Sequence, residues 1–226
     1  MTGQPPVTGQ PPVTGQPPVT GQPPVTALRL VRLYAASRRV PVALLAIAAC
    51  AAGLRIALLG RWDAYGALQL PLIFEVAAAV CVVAAVTSPF GEPERVAGRW
   101  LPFLRLAVTA ALTLAAVALL AAAGAGAHLA GGPLDVLRNV AGITGIGLLS
   151  AAALGGALSW TGPTAYLVAA VYALYTQWHP PALTTPWLWP ARPPHDTGAA
   201  LGAALVFTCG LAVITIRGAR DRPTGT

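Results

Sequence analysis

The chain has 226 residues, of which 56% are hydrophobic and only 9% are charged, with a net charge of +7. Soluble domains carry about a quarter charged residues, so this composition excludes an ordinary water-soluble fold and predicts a membrane protein. All 14 basic residues are arginine, which excludes a lysine-dependent phosphate loop and a Schiff-base lysine in this chain.

The N-terminal region has two parts. Residues 1–25 consist largely of tandem TGQPPV repeats, whose prolines exclude a helix and favour an extended, disordered tether. Residues 26–39 place arginines along one arc of a helix and apolar residues along the rest. This pattern is typical of an amphipathic helix in the headgroup plane, although it also fits a positive flank that simply orients the first span.

Apolar stretches then recur along residues 40–217, followed by a tail over 218–226. Stretches of about 20 apolar residues are long enough to cross a bilayer. The sequence predicts an all-α membrane fold with six spans, near 40–60, 68–88, 103–127, 139–158, 163–178 and 197–216. Between the last two spans, tryptophan and proline residues predict an external element at the membrane interface, with Trp178, Trp187 and Trp189 at headgroup level.

The arginines are distributed unevenly between the two sides of this arrangement. With the N-terminus inside, ten arginines fall on the inner side and four on the outer side. Arginine-rich segments remain cytoplasmic. We therefore expect a multi-pass plasma-membrane protein with both termini in the cytoplasm.

Two sets of residues within the spans are candidates for specific roles. Gly147, Ala151 and Gly155 recur at every fourth position of the fourth span, and small residues at this spacing allow helices to pack closely. Arg55 and Glu75 are charges within apolar segments, where a central charge costs about 2.5–3.5 kcal/mol. They could form a buried ion pair that fixes helix register; alternatively, Glu75 could face a translocation path.

Residues with recognisable enzyme chemistry are not apparent in the sequence. The three histidines have no metal-ligand spacing, the three cysteines lie singly in apolar runs, and no nucleophile motif is present. We therefore expect no enzymatic activity, no metal or other cofactor, and no nucleic-acid partner.

The loop between the second and third spans reads TSPFGEPERVAGRWLPFLRLA. Pro93 can begin a short helix, with Glu92 and Glu94 near its positive end and Arg95 and Arg99 on one face. Two interpretations remain: a helix lying parallel to the membrane, or an ordinary charged connector.

With this loop, the layout of residues 27–220 resembles the permease subunits of type-2 ATP-binding-cassette exporters. The loop resemblance is carried by five residues: Pro89, Arg95, Gly98, Arg99 and Leu101. It implies a homo- or heterodimeric permease in the lipid bilayer that exports a hydrophobic or amphipathic substrate. A separate cytoplasmic ATPase subunit would contact the loop helix at Glu92, Glu94, Arg95 and Arg99. The alternative is a non-transport membrane protein: an immunity factor, an anchor or an accessory subunit.

Overall fold

The computed structural model describes residues 39–60, 64–87, 101–127, 129, 131–175, 187–193 and 195–217. Within these ranges the chain is helical and contains no strand, so the prediction of an all-α fold is confirmed. The six α-helices are α1 (Val40–Leu58), α2 (Ala64–Val86), α3 (Leu101–Gly124), α4 (Gly132–Leu154), α5 (Thr161–Tyr175) and α6 (Thr197–Arg217).

Local sequence sets several helix ends. Arg39, with a φ of 53°, adopts a left-handed conformation, and α1 begins at the next residue with a proline in its first turn. Gly132 and Pro133 begin α4 seven residues before the predicted start at 139. Gly155 ends α4 with a φ of 94°, a conformation that glycine adopts without a side-chain clash.

Five of the helices, all except α5, are long and apolar enough to cross a membrane. α5 has 15 residues and a length of about 23 Å, less than the roughly 30 Å of a hydrocarbon core. Large apolar side chains, among them Leu45, Ile56 and Leu205, remain exposed on the outside of the bundle. This outward apolar surface is consistent with a multi-pass membrane protein, because lipid can solvate it.

Two helices form the centre of the bundle. The most apolar windows of α2 and α4 are 56% and 61% buried, whereas those of α1, α3 and α6 are only 22–28% buried. α1 packs on α2 and α3, α5 packs on α2 and α4, and α6 packs mainly on α4. Residues on α2 and α4 are therefore the ones most removed from lipid.

The contact between α4 and α6 is a direct backbone approach at a pair of glycines. A Cβ atom on Gly145 would lie 2.6 Å from the Cα of Phe207, and one on Gly210 would lie 2.6 Å from the carbonyl oxygen of Gly145. Neither helix could carry a side chain here without separating. Glycine at both positions therefore sets how closely α6 approaches the core.

The bundle has two ends. One end contains the short 3₁₀ turn Trp189–Ala191, and we call it the Trp189 end. The helices α1, α3 and α5 end there, and α2, α4 and α6 begin there. The opposite end contains the turn that follows Gly155, where Gly156 lies against Thr87. By the arginine distribution, the Trp189 end is the one that we expect to be external.

Candidate functional site

Glu75 is fully enclosed at the centre of the bundle. Its side chain is 2% exposed, and its Oε2 accepts a hydrogen bond of 2.9 Å from the Nδ2 of Asn139 on α4. Leu72 and Val76 on α2 and Ile143 on α4, the same two helices, belong to a buried apolar cluster. Asn139 is its only hydrogen-bond partner among the described residues, so this bond joins the two central helices.

The structure does not bring Arg55 and Glu75 together. The Arg55 guanidinium is exposed, and its Nη1 donates hydrogen bonds to the carbonyl oxygens of Ala123 (3.3 Å) and Ala125 (3.0 Å). These carbonyls lie at the C-terminal end of α3, where a cation meets unpaired acceptors and the negative helix end. The two residues therefore do not form the predicted ion pair: Arg55 binds the end of α3, and Asn139 is the hydrogen-bond partner of Glu75. The alternative role of Glu75, in a translocation path, stays a prediction.

A charged cluster lies at the Trp189 end, where α4 meets the segment before α6. Arg138, which is only 6% exposed, forms an ion pair of 2.8 Å with Asp135 and donates to the carbonyl oxygen of Pro193 at 3.0 Å. Arg192 forms a second ion pair, with Asp196. Two arginines and two aspartates thus balance each other in charge and fix the segment to α4.

Asp196 also begins α6. Its Oδ1 accepts a hydrogen bond of 2.8 Å from the backbone N–H of Ala199, which is the arrangement of an N-cap. This bond, together with the neighbouring Arg192, holds the pKa of Asp196 below its ordinary value. The side chain therefore remains ionised, caps the N-terminus of α6 and forms the ion pair with Arg192.

Trp189 does not lie at the headgroup surface as the sequence predicted. Its side chain is 2% exposed and lies over Gly142 of α4, and its ring centroid is 4.7 Å from that of Tyr166 on α5. The Tyr166 hydroxyl donates to the carbonyl oxygen of Trp187 at 3.0 Å. A missing side chain at position 142 makes room for the indole, so Trp189 is a core residue, whereas Trp187 is 54% exposed.

The predicted small-residue stripe divides into different roles. Gly147 faces the side chains of Val83 on α2 and Pro163 on α5. Ala151 is buried in a cluster with Val83 and Ile214. Gly155 lies one residue beyond α4 and ends it, so it is a turn residue and not a helix-packing residue.

An open groove runs between α3, α4 and α6, starting at the charged cluster. Its volume is about 670 Å³, within the range of small-molecule sites. Apolar residues such as Leu114, Leu137 and Phe207 form most of its wall, while Arg138, His195 and Asp196 stand at one end. The groove therefore has the apolar wall and single polar end that an amphipathic molecule requires.

The predicted ATPase-coupling residues Glu92, Glu94, Arg95 and Arg99 lie outside the described residues, as do the repeat tail and the amphipathic segment before Arg39. Among the residues that are described, no group of three or more histidine, cysteine, aspartate or glutamate side chains could hold a metal ion.

Sequence reasoning missed Asn139 and the glycine pair. Asn139 follows Arg138 within an apolar stretch, so its amide was a visible signal: a buried amide requires a partner. Gly145 was one of many small residues on α4, and no pattern within that helix identifies Gly210 as its neighbour.

The comparisons with known proteins concern the tail alone. Residues 1–27 match the model of the Cementoin family, described as the trappin protein transglutaminase binding domain. The match ends before α1 and says nothing about the helical bundle. No curated protein matches the chain, and no solved structure does so either.

Proposed function

We propose that this chain is the membrane-embedded permease subunit of an exporter, driven by a separate ATP-binding-cassette ATPase and moving a hydrophobic or amphipathic substrate. The observation that supports this best is the groove between α3, α4 and α6, with its apolar wall and polar end. A molecule with an acyl or other apolar part could enter such a groove from the side without first passing through water.

The arrangement of the helices supports the same proposal. α3 and α6 form the outer walls of the groove and are only 28% and 22% buried, whereas α4 behind them is held in the core. α3 begins at Leu101, and residues 88–100, which the sequence predicts to form the coupling loop, come directly before it in the chain. A displacement of that loop by an ATPase would therefore act first on a peripheral wall of the groove, which is a shift of packed helices of the kind used in transport.

Co-purification tests the ATPase partner. We expect the tagged full chain, expressed in its own host, to retain a Walker-motif ATPase, and we expect Glu94→Arg to lower the retained amount about tenfold, equivalent to about 1.4 kcal/mol. Asp221→Arg provides a matched charge reversal in the C-terminal tail and should leave the retained amount unchanged.

Unchanged retention with Glu94→Arg would contradict the coupling role of the loop. Normal function of the chain in cells whose ATP-binding-cassette ATPases have been disabled would contradict the permease assignment itself. That second result would favour the non-transport alternative of an anchor, accessory or immunity protein.

A further inference from the structure

We propose that the groove between α3, α4 and α6 binds one phospholipid of the leaflet at the Trp189 end, with an acyl chain along the apolar wall and the phosphate against Arg138 and His195. The inference rests on the membrane placement within the proposed function, but not on the ATPase or on transport.

The depth of the groove matches one leaflet. Along α6 its lining extends from Thr197 at the charged end to Thr208, which is about 16 Å of helix. Half of a roughly 30 Å hydrocarbon core is about 15 Å. An acyl chain whose headgroup lies at the charged end would therefore follow the groove from the interface to the middle of the bilayer.

The side of the groove is open to lipid. Leu114, Leu134 and Leu137 line it and are 63%, 57% and 42% exposed. Ala200 and Ala204 of α6 are also exposed and leave the space between the larger side chains. A flexible hydrocarbon chain fills such a shallow, irregular surface, and the contact gains dispersion energy.

The charged end offers donors suited to a phosphate. Arg138 lines the groove and is buried; its Nε–H is enclosed and has no hydrogen-bond partner within the described part of the chain, whereas its Nη atoms are engaged. His195 is exposed beside it, and Thr197 adds a hydroxyl. A guanidinium with one unused N–H is an effective donor to phosphate oxygen.

Charge balance predicts which headgroups bind. The pairs Arg138–Asp135 and Arg192–Asp196 leave little net charge at this end. Recognition should therefore depend on hydrogen bonds to the phosphate more than on overall lipid charge. We expect zwitterionic and anionic phospholipids to bind with similar affinity, and a diacylglycerol with the same acyl chains, which lacks the phosphate, to bind weakly.

Native mass spectrometry of the full chain in detergent micelles tests this directly. Phosphatidylethanolamine, phosphatidylglycerol and the chain-matched diacylglycerol are each titrated, and the bound fraction is measured. We expect one phospholipid to bind about tenfold more tightly than the diacylglycerol, since lost charge-assisted hydrogen bonds commonly cost that much. His195→Ala should weaken the binding of phospholipid and leave the binding of diacylglycerol unchanged.

A substitution that fills the groove identifies the binding surface. Ala204→Phe should lower phospholipid binding about tenfold, while Ala212→Phe, on an exposed part of α6 outside the groove, should bind like the unaltered chain. If Ala204→Phe does not fold, Ala200→Leu fills the same groove with a smaller side chain.

Two results would overturn the proposal. One is phospholipid binding unaffected by folded groove variants; the other is equal binding of diacylglycerol and phospholipid. Loss of a dimer with Ala204→Phe, without loss of lipid, would show instead that a second copy covers the groove. No ATPase is present in the mass-spectrometry measurement. Its outcome therefore does not depend on whether the co-purification test finds an ATPase partner.

Discussion

Buried polar side chains on two faces of α4 find different kinds of hydrogen-bond partner. Arg138 and Asn139 are neighbours in sequence and about 100° apart around the helix. Arg138 faces the end of the bundle, where Asp135 and the backbone of residues 192–193 provide acceptors. Asn139 faces α2, where the Glu75 side chain accepts its hydrogen bond. On the face toward the connecting segment, backbone carbonyls and a carboxylate satisfy the charge, whereas on the face toward α2 one polar side chain must satisfy another.

The largest expected effect concerns the end of the bundle. Arg138→Met should lower the free energy of unfolding by about 3 kcal/mol, because a buried partner of an ion pair is removed and two carbonyls lose a donor. Thermal or SDS-induced unfolding in micelles measures the change. Arg55→Met is the matched control: Arg55 is exposed, and its loss should cost less than about 1 kcal/mol. Equal losses for the two variants would contradict the distinction between buried and exposed arginines.

The next effect distinguishes backbone contact from side-chain contact on α4. Gly145→Ala should cost about 2 kcal/mol by overpacking, because its new Cβ would meet the backbone of Phe207 at 2.6 Å. Gly147→Ala should cost less, because its Cβ would meet only the side chains of Val83 and Pro163. The same unfolding measurement compares them, and a larger loss for Gly147→Ala would disprove the closer approach of α6.

Much of the fold followed from elementary rules, and much of the site did not. Apolar length alone located the helices, because a bilayer requires long apolar segments. The predicted start of this span at 139 was seven residues late, because the charged Asp135 and Arg138 interrupt the apolar stretch; the structure places both within the first two turns of α4, where they form an ion pair. Glu75 was correctly recognised as unusual, but its partner was not identified. Partner choice depends on how helices rotate against each other, which spacing within one helix does not specify.

The Glu75–Asn139 pair offers a smaller and more specific test of the inner face. Asn139→Leu should cost about 1–2 kcal/mol, because a buried carboxyl group loses its partner. The double variant Glu75→Leu/Asn139→Leu should recover much of this loss, since two apolar side chains can replace a buried polar pair. A double-mutant cycle measures the coupling. Additive losses would show that the two residues act independently, contrary to their 2.9 Å contact.

The smallest effect uses pH to separate the outer cluster from the helical interior. The hydrogen bond from Ala199 and the charge of Arg192 lower the pKa of Asp196 in the folded chain, so ionised Asp196 favours folding above its unfolded pKa of about 4. This contribution is lost as the pH falls through the lower, folded value. The stability difference between the unaltered chain and Asp196→Ala should therefore be constant near neutral pH and shrink in acid.

Asp196→Asn separates the two causes, because asparagine can cap α6 but cannot form the ion pair with Arg192. Its stability should lie between those of the unaltered chain and Asp196→Ala at neutral pH. A difference between Asp196→Ala and the unaltered chain that persists undiminished in acid would contradict stabilisation by the ionised carboxylate. Asp196 is a suitable residue for this test because it lies at the end of the bundle, outside the spanning helices, where water can deliver a proton without opening the core.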